Sequence, residues 1–198
     1  MSDVYSELQL AVSKTKIVLL KQQYNHLEQV VDHSIIAFNR FIGQQPEFAL
    51  ALLNVQNKDA SFVDNLIFKQ LLITKLFCAK LKYTEKSTNS LLRACLYLLN
   101  SHLPAIVKLT KKQLSLSEYS KQTKTIYKRC FTRLYQLKVN DKDCLKLLSQ
   151  LANNNRFSQT NQLAQTMTAL AVNCNLLINI DFKSFKLNIE QAISLISI

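Results

Sequence analysis

Glycine is almost missing from this chain: there is one in 198 residues, alongside two prolines. Tight β-hairpins draw on glycine for positive φ, and loops that cradle phosphate need several glycines close together. A single glycine therefore excludes a Walker loop, a dinucleotide fingerprint and almost any β-sandwich, and leaves an all-α protein. Acidic residues are scarce too, 13 against 25 Lys and Arg, for a formal charge of +12. None of them forms an ExxH pattern, so a carboxylate-bridged metal centre is not expected. No GxSxG or comparable nucleophile signature occurs. No run of about 18 uncharged apolar residues occurs, so no membrane span is expected. The opening Met1-Ser-Asp-Val-Tyr5 has no basic stretch leading into an apolar one, and no secretory signal is expected.

The five cysteines, Cys78, Cys95, Cys130, Cys144 and Cys174, are odd in number, widely spaced and never arranged as CxxC. They read as small core residues of a reduced, cytoplasmic protein, not as disulfides or zinc ligands. His26 and His33 lie two helical turns apart near Glu28 and Asp32. A metal site needs three or four converging ligands, so a solvated helix face is the expectation there. His102, just beyond an apolar run, is expected to cap a helix C-terminus in its charged form. No metal or other cofactor is implied.

Apolar residues make up 48% of the chain, and they recur at helical spacing. Residues 4–42 read as one or two amphipathic helices, with Leu27, Val30, Val31, Ile35, Phe38 and Ile42 on one face. Gly43 sits where a C′ residue belongs, and Pro46 blocks continuation. Residues 47–55 read as a short buried helix, 62–83 as a long helix, 84–90 as a polar turn and 91–99 as the central helix. Pro104 starts or kinks the next helical stretch. Ser115-Leu-Ser-Glu118 is a capping box that opens a helix to about Leu137. Asn140 or Asp141 caps the next helix, which ends at Asn153-Asn154-Asn155. Further helices are expected over 160–177 and from about 188. No internal repeat, heptad seam or low-complexity linker stands out. The expected architecture is one helical bundle over 47–198 with residues 1–46 as an N-terminal helical extension.

Positive charge is unevenly spread. Between Lys108 and Lys146 eleven basic residues oppose three acidic ones, an excess of eight out of the chain's twelve. On the helix after the capping box, Lys121, Lys124, Lys128, Arg129 and Arg133 recur near one face, a candidate anion-binding stripe. Tyr119, Tyr127, Phe131 and Tyr135 interleave with them, and aromatic faces can stack on bases. The alternative is a solvated lysine face with the aromatics turned inward. Burying an unpaired lysine costs several kcal/mol, so the helix is expected to expose Lys121, Lys124, Lys128 and Arg133 and to bury Tyr127, Phe131 and Leu134.

In the order of its segments the chain resembles a degenerate member of the HD-GYP branch of the HD-domain phosphohydrolases. These are helical metal enzymes that cleave cyclic dinucleotides. The likeness spans about residues 47–196. Phe62–Tyr83 resembles the helix of the first metal-binding His, and Leu91–Asn100 the helix ending in the His-Asp pair. Leu114–Tyr119 with Ile126–Cys130 resembles the segment bearing the next His. Leu137–Asp143 with Leu147–Asn154 resembles the helix leading to paired His, and Leu163–Leu177 the helix of the last acidic ligand. The resemblance implies an HD-like bundle with its ligand positions at Leu66, Leu99, Asn100, Arg129, Asn153, Asn154 and Val172. None of these is a metal ligand of the family's kind, and Arg129 would repel a divalent ion. Without metals the two-metal hydrolysis fails. The resemblance therefore implies a pseudoenzyme: a non-catalytic signalling or protein-interaction module, open to sensing a nucleotide. The competing reading is a nucleic-acid-binding helical protein that uses the basic stripe. An active metal-dependent phosphohydrolase is the remote third. Arg129 marks a fork: pointing inward, its cation would fill the space the metal leaves.

Overall fold

The structure, a computed structural model, describes residues 3–21, 26–54, 61–80, 82–110 and 113–153. Seven helices occur among them in chain order: α1 (Asp3–Lys21), α2 (Leu27–Gln44), α3 (Pro46–Asn54), α4 (Phe62–Lys80), α5 (Glu85–Thr110), α6 (Leu116–Gln136) and α7 (Lys142–Asn153). No strand occurs among the described residues, and the fold is all-α. The helices expected over 160–177 and from 188 lie outside the described residues, as does Cys174.

The apolar spacing decides which face of each helix turns inward. α2 buries Leu27, Val31, Ser34, Ile35, Phe38 and Phe41, steps of three and four that trace one stripe. α5 is the hub: between Leu91 and Asn100 every residue but Arg93 is buried, and α1, α2, α4, α6 and α7 all pack on it. A helix apolar nearly all round belongs at the centre of a bundle. One apolar cluster runs from Tyr5 of α1 to Leu148 of α7, taking residues from both sides of position 46. At its α1–α4 end the rings of Tyr5, Phe41, Phe48 and Phe68 meet edge-on or tilted at 5.2–6.1 Å.

Three hydrogen bonds inside the bundle tie neighbouring helices in register. The Thr15 and Ser34 hydroxyls share a 2.6 Å hydrogen bond between α1 and α2, and Ser34 Oγ also donates to Ala11 O. Gln70 Nε2 of α4 donates to Cys95 O of α5 at 2.9 Å.

Several local expectations change. Gly43 is not a C′ residue: the helix runs on to Gln44, no glycine has positive φ, and the Gln45 N–H closes the end on Phe41 O at 2.8 Å. Pro46 does the stopping, as the first residue of α3, where its missing N–H costs nothing. α3 is only part-buried, since Ala49 is covered but Phe48 is exposed. Residues 85–90 are not a turn but the opening of α5. Thr84 Oγ1 accepts from the Ser87 N–H at 3.2 Å, a cap that starts the helix there. Pro104 sits inside α5. It leaves the Asn100 carbonyl without its helical donor.

The sequence expectation of no membrane-length segment also meets an exception. Among the described residues one helix, Glu85–Lys108, is long and apolar enough to cross a membrane, and 78% of its apolar window is buried inside the bundle. Arg93, Asn100 and His102 interrupt the run, which is why no uncharged apolar stretch of that length stands out in the sequence.

Candidate functional site

α6 begins where the capping box predicts. The Ser115 N–H donates to Glu118 Oε2 at 2.8 Å, and the Glu118 N–H donates back to Ser115 Oγ at 3.3 Å. These bonds, from the Ser115 side chain and backbone, hold the Glu118 carboxyl below its ordinary range. The helix then buries Tyr119, Ile126, Tyr127, Cys130 and Leu134 against α5 and α7. Lys121, Lys128, Arg129 and Arg133 are exposed. Lys124 belongs to the same helix. Lys121, Lys128 and Tyr135 stand seven residues apart, so they fall on nearly one line, and Tyr135 is 68% exposed. Glu118 is the only acid on α6, and it is engaged by Ser115. No ion pair reaches Lys121, Lys128 or Arg129 among the described residues.

The interleaved aromatics divide. Tyr127 and Leu134 are buried as expected, Phe131 only half, and Tyr119 not at all free to stack. Tyr119 Oη and His102 Nδ1 share a 2.6 Å hydrogen bond, and the Tyr127 ring meets the imidazole edge-on at 5.3 Å. His102 is therefore no C-terminal cap. It lies within α5, 4% exposed, and burial holds it neutral with a pKa pushed down to about 4. Phe131 and Tyr135 alone remain toward the outside, with ring centroids 6.0 Å apart.

The positions implied by the HD-like resemblance do not all converge. α4 and α5 are antiparallel, and the Gln70–Cys95 bond fixes their register. Leu66 and Leu99 are both buried in the main apolar cluster. Asn100 is buried beside them with Oδ1 lacking a partner. Arg129 is exposed on α6, which packs on α5 and α7. Its cation does not fill the interior. Asn153 closes α7, and Asn154 and Val172 lie outside the described residues. His26 and His33 are exposed. Among the described residues no group of three or more His, Cys, Asp or Glu is placed to hold a metal.

One polar assembly has no counterpart among the sequence expectations. Arg93 of α5 donates from Nε to Asp32 of α2 at 2.7 Å and from Nη1 to Asp141 at 3.0 Å. The two carboxylates raise the guanidinium pKa against the opposing effect of its own burial, which is the largest single influence. Asp141 also accepts from Ser90 Oγ and from the Cys144 N–H, capping α7 as expected. An open cleft of about 580 Å³ lies over this node, with Glu28, Lys86 and Asp143 at its margin. Its charges answer one another and clamp α2, α5 and α7. The sequence does carry a signal for it: Arg93 is the only charge in the apolar run 91–99, and such a charge requires a partner.

Fold and site together define an all-α protein with one strongly basic helix face and, among the described residues, no assembled metal cluster. No family model, no curated protein and no solved structure matches the chain.

Proposed function

We propose that this chain is a non-catalytic interaction module, an HD-like helical scaffold without metal ligands, that takes an acidic partner protein on the basic face of α6. The observation that carries the reading is that face itself: Lys121, Lys128 and Arg129 are exposed with no ion pair among the described residues, on a helix whose one acid is occupied. Self-repulsion along such a face is relieved by an acidic ligand, and binding through it weakens with salt. The burial of Leu66 and Leu99 supports scaffold over catalysis, because apolar side chains stand where the resemblance would put ligands.

A second reading has one observation in its favour. Tyr135 continues the line of Lys121 and Lys128 with its ring exposed, an arrangement that suits single-stranded nucleic acid, where bases stack and phosphates pair with cations.

Fluorescence anisotropy with a labelled polyglutamate peptide and a labelled single-stranded oligonucleotide, each at two salt concentrations, tests both. Changing Lys121, Lys124 and Lys128 to Glu should weaken polyglutamate binding at least tenfold and flatten its salt dependence. An unchanged affinity in that variant overturns the reading. Tyr135→Ala should leave polyglutamate binding intact; a selective loss of oligonucleotide binding would favour the second reading.

A further inference from the structure

Helix α1 is apolar on two opposite faces. Toward the bundle it buries Tyr5, Leu8, Val12, Val18 and Leu19. On the far side Leu10, Ile17 and Leu20 are 58%, 47% and 53% exposed. With Ser6 and Ser13 they occupy positions 6, 10, 13, 17 and 20, alternating steps of four and three. That alternation has the spacing of a coiled-coil seam, with Leu10, Ile17 and Leu20 as its apolar positions. A single exposed leucine needs no explanation. Three aliphatic residues on one seam of a helix whose other side is already buried do.

The flanks give the seam a sign. Glu7 is held by Arg40 at 2.8 Å, and Lys16 by Asp64 at 2.8 Å. Their charges are answered within the chain. Lys14 and Lys21 are exposed and form no ion pair among the described residues. We propose that the outer face of α1 docks an amphipathic helix of a partner protein, with an apolar seam and acidic flanking residues opposite Lys14 and Lys21.

The same residues argue against other occupants. Two antiparallel copies set Lys14 against Lys14, and two parallel copies offer Lys14 and Lys21 no unpaired acid. Each copy also carries a formal +12, which opposes self-association. A lipid surface calls for a broad apolar face, whereas this stripe is narrow and holds two serines. The surface is separate from the basic face described above: α1 packs on α2, α4 and α5, and α6 on α5 and α7.

The probe is a synthetic helix of about three heptads, with Leu on the seam and Glu on the flanks. It is fluorescein-labelled and titrated with the full chain by anisotropy. Saturable binding is expected, at least tenfold tighter than for the same helix with Lys flanks. The Leu10→Ser/Ile17→Ser variant alters exposed positions only. It should keep its circular dichroism and thermal midpoint while binding falls at least tenfold. Lys14→Glu/Lys21→Glu should reverse the preference between the two probes. The chain with Lys121, Lys124 and Lys128 changed to Glu should bind the Glu-flanked helix as the parent does, which separates failure at α6 from failure at α1. The proposal is overturned if neither probe binds, or if the serine variant binds as well as the parent. It is also overturned if binding is lost with the α6 lysines. Two further results would replace the partner helix: a dimer in sedimentation that the serine variant abolishes, or binding to phosphatidylserine vesicles that the serine variant abolishes.

Discussion

His102 shows how far a side chain's role depends on what folds over it. Its sequence position, after an apolar run, suits a charged helix cap. The structure instead encloses it between Tyr119 and Tyr127, with Nδ1 bonded to Tyr119 Oη and Nε2 lacking a partner. Burial lowers its pKa to about 4, below the ordinary value of about 6.5. Above pH 6.5 the imidazole is neutral in both the folded and unfolded chain, and it adds no pH dependence. Below 6.5 the unfolded chain takes up a proton that the folded chain refuses, so stability falls as pH drops toward 4 and then levels. The loss over that window is about 3 kcal/mol. Urea unfolding at pH 7.0 and 4.5 should show most of it in the parent. His102→Gln, which does not titrate, should lose markedly less between the two. An equal slope in both chains would mean that His102 is not the group responsible. Arg93 makes the same point from the other side. Its apolar neighbours announce a buried helix, but Asp32 and Asp141 come from 61 and 48 residues away, and no local pattern names them.

At the scale of the helix the scarcity of glycine leaves a mark. α4 and α6 both end in Schellman motifs with a lysine at C′. Tyr83 N–H donates to Cys78 O and Lys82 N–H to Ala79 O; Val139 N–H donates to Leu134 O and Lys138 N–H to Tyr135 O. Lys82 and Lys138 have φ of 55° and 52°, the left-handed region in which a Cβ is costly. Lys82→Gly and Lys138→Gly should each stabilise the chain by about 0.5–1 kcal/mol, the relief of strain exceeding the glycine's added unfolded-state entropy. Equilibrium urea unfolding measures this, and a destabilised variant would contradict it. Helix starts are more legible than helix ends, because a capping box or an N-cap Asp acts through residues three positions away: Ser115–Glu118 and Asp141–Cys144 are both readable. The start of α5 is not. Glu85–Ser90 looks like a polar turn, yet Thr88 and Ser90 are buried, satisfied by Thr84 O and by Asp141 of a distant segment. The seam of α1 is hidden for a different reason. Leu8, Val12 and Leu19 of the core interleave with Leu10, Ile17 and Leu20, so neither register stands out until burial separates them.

For the whole molecule, the all-α class and the central place of residues 91–99 are legible in the sequence because they rest on composition and spacing summed over many residues. The convergence of sites is not, since it depends on which faces of α4, α5 and α6 meet; Leu66 and Leu99 are buried while Arg129 turns to solvent. That packing has one more effect. Cys78, Cys95, Cys130 and Cys144 are free and buried, one on each of α4, α5, α6 and α7. Burial pushes the thiols of Cys95 and Cys130 up to about 12 and raises those of Cys78 and Cys144 as well. A thiol reagent attacks the thiolate, so each cysteine is silent until its helix leaves the bundle. Alkylation followed by peptide mass spectrometry then times the opening of four helices in a single native sample. If the hub α5 holds the bundle as one cooperative unit, all four should label at one rate, and that rate should follow the urea dependence of global unfolding. If Cys144 reacts ahead of the others, α7 and its Arg93–Asp141 clamp detach first, and the molecule comes apart from its charged corner inward.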